Sequence, residues 1–118
     1  MPKGAKVFLA EDHDLIRKQE KELLTELGHT VEIEATSLEE ALAFVKLAKE
    51  RGIEVAVLDG CLTKTGPWKA DGKVIAEALK REIPSIKIIS CSGILQDWGD
   101  VNLVKDDAVK LGEIIDKL

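Results

Sequence analysis

Lys6-Val7-Phe8-Leu9-Ala10-Glu11-Asp12 carries a short apolar run straight into two acids, and the same arrangement returns three times along the chain. Residues 54–58 lead into Asp59, residues 86–91 into Ser92-Gly93, and residues 101–104 into Lys105. Each run reads as a buried strand followed by helical sequence, the pattern of a parallel α/β sheet. Strand ends in such a sheet converge on one carboxyl edge, where ligands bind. The chain thereby gathers three carboxylates, a hydroxyl and an ammonium around one crevice.

Strand and helix patterns alternate from end to end. Strand one is residues 6–10, and a helix follows over 14–27, with Leu15, Leu23, Leu24 and Leu27 among its apolar positions and Gly28 ending it. Residues 31–35 alternate Val, Glu, Ile, Glu, Ala, as expected of an edge strand with one wet face. Ser37 opens the next helix as an N-cap, Glu40 completes a capping box, and Gly52 closes it. Strand three is 55–58, a long loop covers 60–70, and a helix runs from about Asp71 to Lys80, stopping before Pro84. Strands four and five are 86–90 and 101–104, and a last helix covers 106–118. No repeat, linker or low-complexity segment interrupts the 118 residues, which read as one domain.

Composition removes several functional classes. A hydrophobic content of 45% with 33% charged residues fits a globular protein rather than a disordered one. The net charge of −5 and the interleaving of cations with glutamates, as in residues 17–22, leave no basic stripe for nucleic acid and read as a solvated helix face. No stretch approaches the roughly 18 apolar residues of a membrane span. The first residues lead directly into a strand without a signal peptide, so a cytoplasmic location is expected. Cys61 and Cys91 lack metal or redox spacing and read as a reduced intracellular pair. His13 and His29 have no ligand partner at helical spacing and read as surface or turn residues.

In this order and spacing the residues resemble the receiver domains of two-component response regulators over nearly the whole chain. Val7-Phe8-Leu9-Ala10-Glu11-Asp12-His13 is similar to the family's first strand and acidic pair, and Ala56-Val57-Leu58-Asp59 to its phosphoacceptor strand. Asp71-Gly72 with Val74, Ile75 and Leu79 resembles the start of its third helix. Ile88 through Gly93 resembles its fourth strand with the switch hydroxyl, and Leu103-Val104-Lys105 its fifth strand with the lysine. The resemblance implies a flavodoxin-like, doubly wound, five-stranded parallel sheet of order 2-1-3-4-5. It also implies a single receiver domain over 1–118, using Asp59, Ser92 and Lys105 for phosphoryl transfer. Mg2+ would be held by Glu11, Asp12, Asp59 and the backbone carbonyl of Cys61, with Glu11 acting partly through water.

Such chemistry requires these residue types to meet. A carboxylate attacks a phosphoryl donor only when their charge repulsion is neutralised. Magnesium is a hard cation that needs only a few protein oxygens, lysine supplies a point charge, and a hydroxyl donates to a phosphoryl oxygen. The implied donor is a histidine kinase or phosphotransfer protein, and the output passes to a downstream protein without nucleic acid or membrane. Phosphorylation would be stoichiometric, not enzymatic turnover.

Three departures from the family pattern stand out. The loop after Asp59 is longer and contains Gly66-Pro67-Trp68, which leaves two readings open, Trp68 folded back near the site as a lid or packed on the third helix. The aromatic expected three residues before the lysine is Asn102, and the proline expected after it is Asp106. Only seven residues, 94–100, separate strands four and five, whereas a usual crossover with its helix takes roughly ten to twelve or more. At most one helical turn is expected there, with Ile94, Leu95 and Trp98 partly filling the gap. An apolar patch left open would mark a partner site or a homodimer contact. A pseudo-receiver, an interaction module of the same fold without phosphotransfer, is the alternative. A magnesium-dependent phosphohydrolase ranks last, because Gly60-Cys61-Leu62-Thr63 offers no second acid after Asp59.

Overall fold

The computed structural model describes residues 4–59, 71–92, 95–104 and 110–116. Five parallel strands form one sheet: β1 Lys6–Ala10, β2 Thr30–Ala35, β3 Val55–Leu58, β4 Lys87–Ser92 and β5 Val101–Val104. Their order is β2-β1-β3-β4-β5, the doubly wound flavodoxin-like arrangement that the sequence implied. The described helices are α1 Asp14–Glu26, α2 Leu38–Ala43, α3 Val45–Glu50, α4 Asp71–Glu82 and α5 Leu111–Asp116. None of them is long and apolar enough to cross a membrane.

The interiors of the central strands β1 and β3 are apolar without polar alternation because both faces are covered. Phe8, Ala10, Ala56, Leu58 and Ile88 face one layer, where Ala41 of α2, Val45 and Ala48 of α3, and Ile75 and Leu79 of α4 meet them. Val7, Leu9, Val57, Ile89, Cys91 and Leu103 face the other, packed by Leu24 of α1 and by Leu111 and Ile115 of α5. Cys91 is buried, as a strand cysteine should be.

Helix ends follow the expected chemistry, with local corrections. Gly28 stops α1 with φ +89°. Its N–H donates to Thr25 and that of His29 to Leu24, a Schellman closure requiring left-handed backbone at the glycine. This closure turns His29 inward, so it is buried rather than at the surface, and its Nδ1 accepts the Ala5 N–H at 3.1 Å. Residues 17–22 form a largely solvated face as read, except that Glu20 is buried, whereas Leu15 is 60% exposed. Glu20 and Leu24 lie one turn apart on the inward face of α1, and Leu15 falls off that face.

Ser37 caps α2 by accepting the Glu40 N–H at 3.1 Å, but the Glu40 carboxylate returns to the Thr36 N–H at 2.8 Å, one residue before the reciprocal partner. The expected single helix up to Gly52 is divided at Phe44, whose N–H is shared between the Glu40 and Ala41 carbonyls. That sharing tightens the turn in the manner of a 3₁₀ helix.

The largest departure from a regular doubly wound sheet lies between β4 and β5. Residues 95–100 contain no helix. The chain comes back to the start of β4, where the Asp100 N–H donates to the Ile88 carbonyl at 2.7 Å and the Asp100 carboxylate accepts the Ile88 N–H at 2.8 Å. β4 extends two residues beyond the expected Ser90 because β5 pairs with it from Ile89↔Val101 to Ser92↔Val104. Trp98 packs on the core as expected, while Leu95 is 61% exposed and does not fill the gap. Ile94 lies outside the described residues, as does the expected start of the last helix at Asp106.

Candidate functional site

β1 and β3 lie side by side and end together. The Asp59 N–H donates to the Ala10 carbonyl at 2.9 Å, and the Glu11 N–H donates to Ala35 of β2 at 3.0 Å. These ladder bonds carry the sheet one residue past its apolar runs and fix the main chain at both acids. Glu11 and Asp59 are buried and Asp12 is partly exposed. One carboxylate oxygen from each of the three acids lies within 4.8 Å of the other two.

The Glu11 side chain has a second task. Its Oε2 accepts the His13 N–H at 3.0 Å, at the start of α1, where no side chain caps the helix. The Glu11 carbonyl accepts from Arg17 Nη1 at 3.1 Å, and Arg17 Nη2 pairs with Asp14 at 2.8 Å. Glu11 is therefore tied to the helix entrance through one oxygen as well as to the acidic cluster. Oxygens bound to one magnesium at about 2.1 Å lie at most about 4.2 Å apart. Separations of up to 4.8 Å come close to that limit, so a small shift or a bridging water lets the three acids share one such ion. The all-oxygen donor set suits a hard divalent cation.

Ser92 closes β4 at the same edge and is buried. In register, Leu58 pairs with Ser90, so Ser92 lies one position beyond the level of Asp59. The structure thus brings Glu11, Asp12 and Asp59 together and sets Ser92 at the adjoining strand end. Lys105, Cys61 and the proposed lid residue Trp68 lie outside the described residues.

Sequence reasoning missed the neighbours that close this edge from behind. A Cβ placed on Gly72, in the first turn of α4, would lie 2.5 Å from the Asp59 carbonyl oxygen and 2.5 Å from Trp98 Cη2. Only glycine allows β3, α4 and the β4–β5 return to approach so closely. Asn102 stands where the receiver pattern has an aromatic, and it is fully engaged. Its Oδ1 accepts from Ser90 Oγ at 2.7 Å and from the Gly99 N–H at 2.9 Å, and its Nδ2 donates to the Gly99 carbonyl. Asp100, next to this network, pairs with Lys80 of α4 at 3.0 Å. Burial acts to raise the Asp100 pKa, but the Ile88 N–H and the Lys80 ammonium outweigh it and hold the carboxyl below its ordinary value. The polar residues at 90, 100 and 102 were visible in the sequence, but nothing there signalled that they bond to one another.

The same architecture recurs among solved structures. The signal receiver domain of a NarL response regulator from Mycobacterium tuberculosis superposes with a TM-score of 0.75 at 22% identity, over 98% of each chain. A CheY-like response regulator receiver domain from Methanospirillum hungatei JF-1 gives 0.75 at 21% identity, over 98% of this chain and 93% of that one. The CheX–CheY complex with BeF3 and Mg2+ from Borrelia burgdorferi gives 0.65 at 21% identity, over 76% of this chain and 63% of that one. No protein-family model and no curated protein matches the sequence. The chain has the fold of response-regulator receiver domains.

Proposed function

We propose that this chain is a single response-regulator receiver that accepts a phosphoryl group on Asp59 from a histidine kinase or phosphotransfer protein, and signals through protein contacts in the cytoplasm. The observation that carries the reading is the meeting of Glu11, Asp12 and Asp59 within 4.8 Å at the carboxyl edge of a receiver fold. Three carboxylates so close repel one another unless a cation or a proton intervenes. Glu11, Asp12, Asp59 and the Cys61 carbonyl would hold Mg2+, which when bound supplies the charge neutralisation that phosphoryl transfer needs. The likeness to a receiver complex containing BeF3 and Mg2+ supports the same assignment.

Asp59 is the nucleophile. One of its carboxylate oxygens attacks the phosphorus of a phosphohistidine, the new P–O bond replaces the P–N bond, and the histidine nitrogen leaves with the bonding pair. Ser92 donates a hydrogen bond to one phosphoryl oxygen and Lys105 offers a point charge to another. The product is one acyl phosphate per chain, and water later returns it to the free carboxylate. The protein is a stoichiometric acceptor rather than a turnover enzyme.

Incubation with magnesium and acetyl phosphate, followed by intact mass, tests the reading. The wild-type protein should gain one phosphoryl group only with a divalent cation present, and Asp59→Asn should gain none. Phosphorylation that survives Asp59→Asn would sink the assignment. The engagement of Asn102 with Ser90 and Gly99 favours a second reading, a pseudo-receiver that binds partners without phosphotransfer. A folded wild-type protein that never gains mass would select it.

A further inference from the structure

We propose that Trp98 is the residue that senses the state of Asp59, through direct packing on Gly72. The inference rests on the phosphoryl chemistry above and adds the route by which that chemistry reaches the surface. It begins from a three-way contact. The point where a Gly72 Cβ would sit is 2.5 Å from the Asp59 carbonyl oxygen, 2.5 Å from Trp98 Cη2 and 2.6 Å from Trp98 Cζ2. Two separations of 2.5 Å put the indole edge no more than about 5 Å from the main chain of the phosphoacceptor. Close-packed interiors pass such displacements on rather than absorb them. The ladder bond to Ala10 anchors the Asp59 N–H, so the movable part is the carbonyl on the loop side, and its rotation would press on the start of α4, on the indole ring, or on both.

The surroundings of Trp98 direct that motion outward. On its C-terminal side the chain is pinned. Asp100 exchanges two hydrogen bonds with the Ile88 main chain and pairs with Lys80, and Asn102 holds both Gly99 and Ser90. Asn102 is committed to that network, so position 102 has no side chain left to swing. Trp98 is half-buried, packs on the core and donates from Nε1 to Gln96 Oε1 at 3.0 Å. It also lines a groove of about 450 Å³ with Lys73, Ala76, Glu77, Lys80, Ile88 and Asp97. A change at Asp59 that moved the indole would thus alter the lining of a surface groove beside α4.

The chain has two tryptophans, Trp68 and Trp98, so Trp68→Phe isolates the reporter. Its emission should change when magnesium and beryllofluoride are added, and should not change in the Trp68→Phe, Asp59→Asn protein. Coupling between sites is reciprocal. Trp98→Leu should therefore change the affinity for magnesium with beryllofluoride by about five-fold, the lower end of such couplings, and an unchanged affinity in a folded Trp98→Leu protein would overturn the route. Should Trp98→Leu fail to fold, the emission experiment stands alone. Intact mass after acetyl phosphate is recorded on the same Trp68→Phe protein. A full mass gain with unchanged emission would overturn the Trp98 route and leave the phosphoacceptor assignment standing. No mass gain would overturn both.

Discussion

Gly72 is the single position on which most depends. A methyl group there meets the backbone oxygen of Asp59, which has no rotamer to yield, as well as the indole edge. Gly72→Ala should therefore cost about 1–3 kcal/mol by overpacking, read as a lower urea midpoint, and a midpoint equal to wild type would show that the three segments have slack. Asp100 gives a prediction with a pH signature. Its pKa is lowered in the folded state, so its contribution is present above the unfolded value, near the reference 3.8, and is lost as pH falls through the folded pKa. The Asp100–Lys80 pair is more than one-third exposed on both sides, so the expected loss in Asp100→Asn is only about 0.5 kcal/mol at neutral pH. That difference should close in acid, in urea melts at pH 7 and pH 2.5. A difference that grows in acid would have the wrong sign.

At the scale of elements, the missing crossover helix and the polar lining of β4 and β5 explain each other. A helix packed on Ser90 and Asn102 would bury a hydroxyl and an amide against apolar side chains. The helix-free return instead offers Gly99 as a partner to Asn102, which in turn satisfies Ser90. Asn102→Phe would restore the aromatic of the receiver pattern and should nonetheless destabilise the protein. It strands the Ser90 hydroxyl, which is fully buried, and leaving such a group unsatisfied costs about 1–3 kcal/mol. Thermal unfolding of Asn102→Phe beside Ser90→Ala would separate the effects. An Asn102→Phe protein more stable than wild type would mean that the network is dispensable.

Over the whole molecule, the acidic cluster is where a bound cation should add stability. Glu11 and Asp59 are buried in a chain whose net charge is already −5, and a ligand that binds only the folded state stabilises by mass action. Magnesium at roughly one hundred times its dissociation constant should add about 2.7 kcal/mol, seen as a shift of the urea midpoint. Asp12→Ala, which removes the partly exposed acid, should lose most of this gain with little change in the metal-free midpoint. Equal magnesium stabilisation in wild type and Asp12→Ala would separate Asp12 from the metal.

The sequence determined the sheet and its acidic edge. Apolar runs that must be buried on both faces mark a parallel sheet, and its strand order was implied only by the resemblance to receiver domains. Glu11, Asp12 and Asp59 follow because each sits one or two residues past such a run. Covalent adjacency placed them. The short return was likewise legible, since seven residues leave too little chain for a strand-to-strand crossing with a helix. Tertiary structure alone decided what lies behind the edge. Gly72, Trp98 and Asp59 are distant in sequence, and their meeting depends on how α4 tilts against β3 and how the return folds over it. The inward turn of His29, the burial of Glu20 and the bond between Ser90 and Asn102 belong with them. Each polar group is burdensome inside unless a partner arrives from another element, and no local pattern encodes the arrival of that partner.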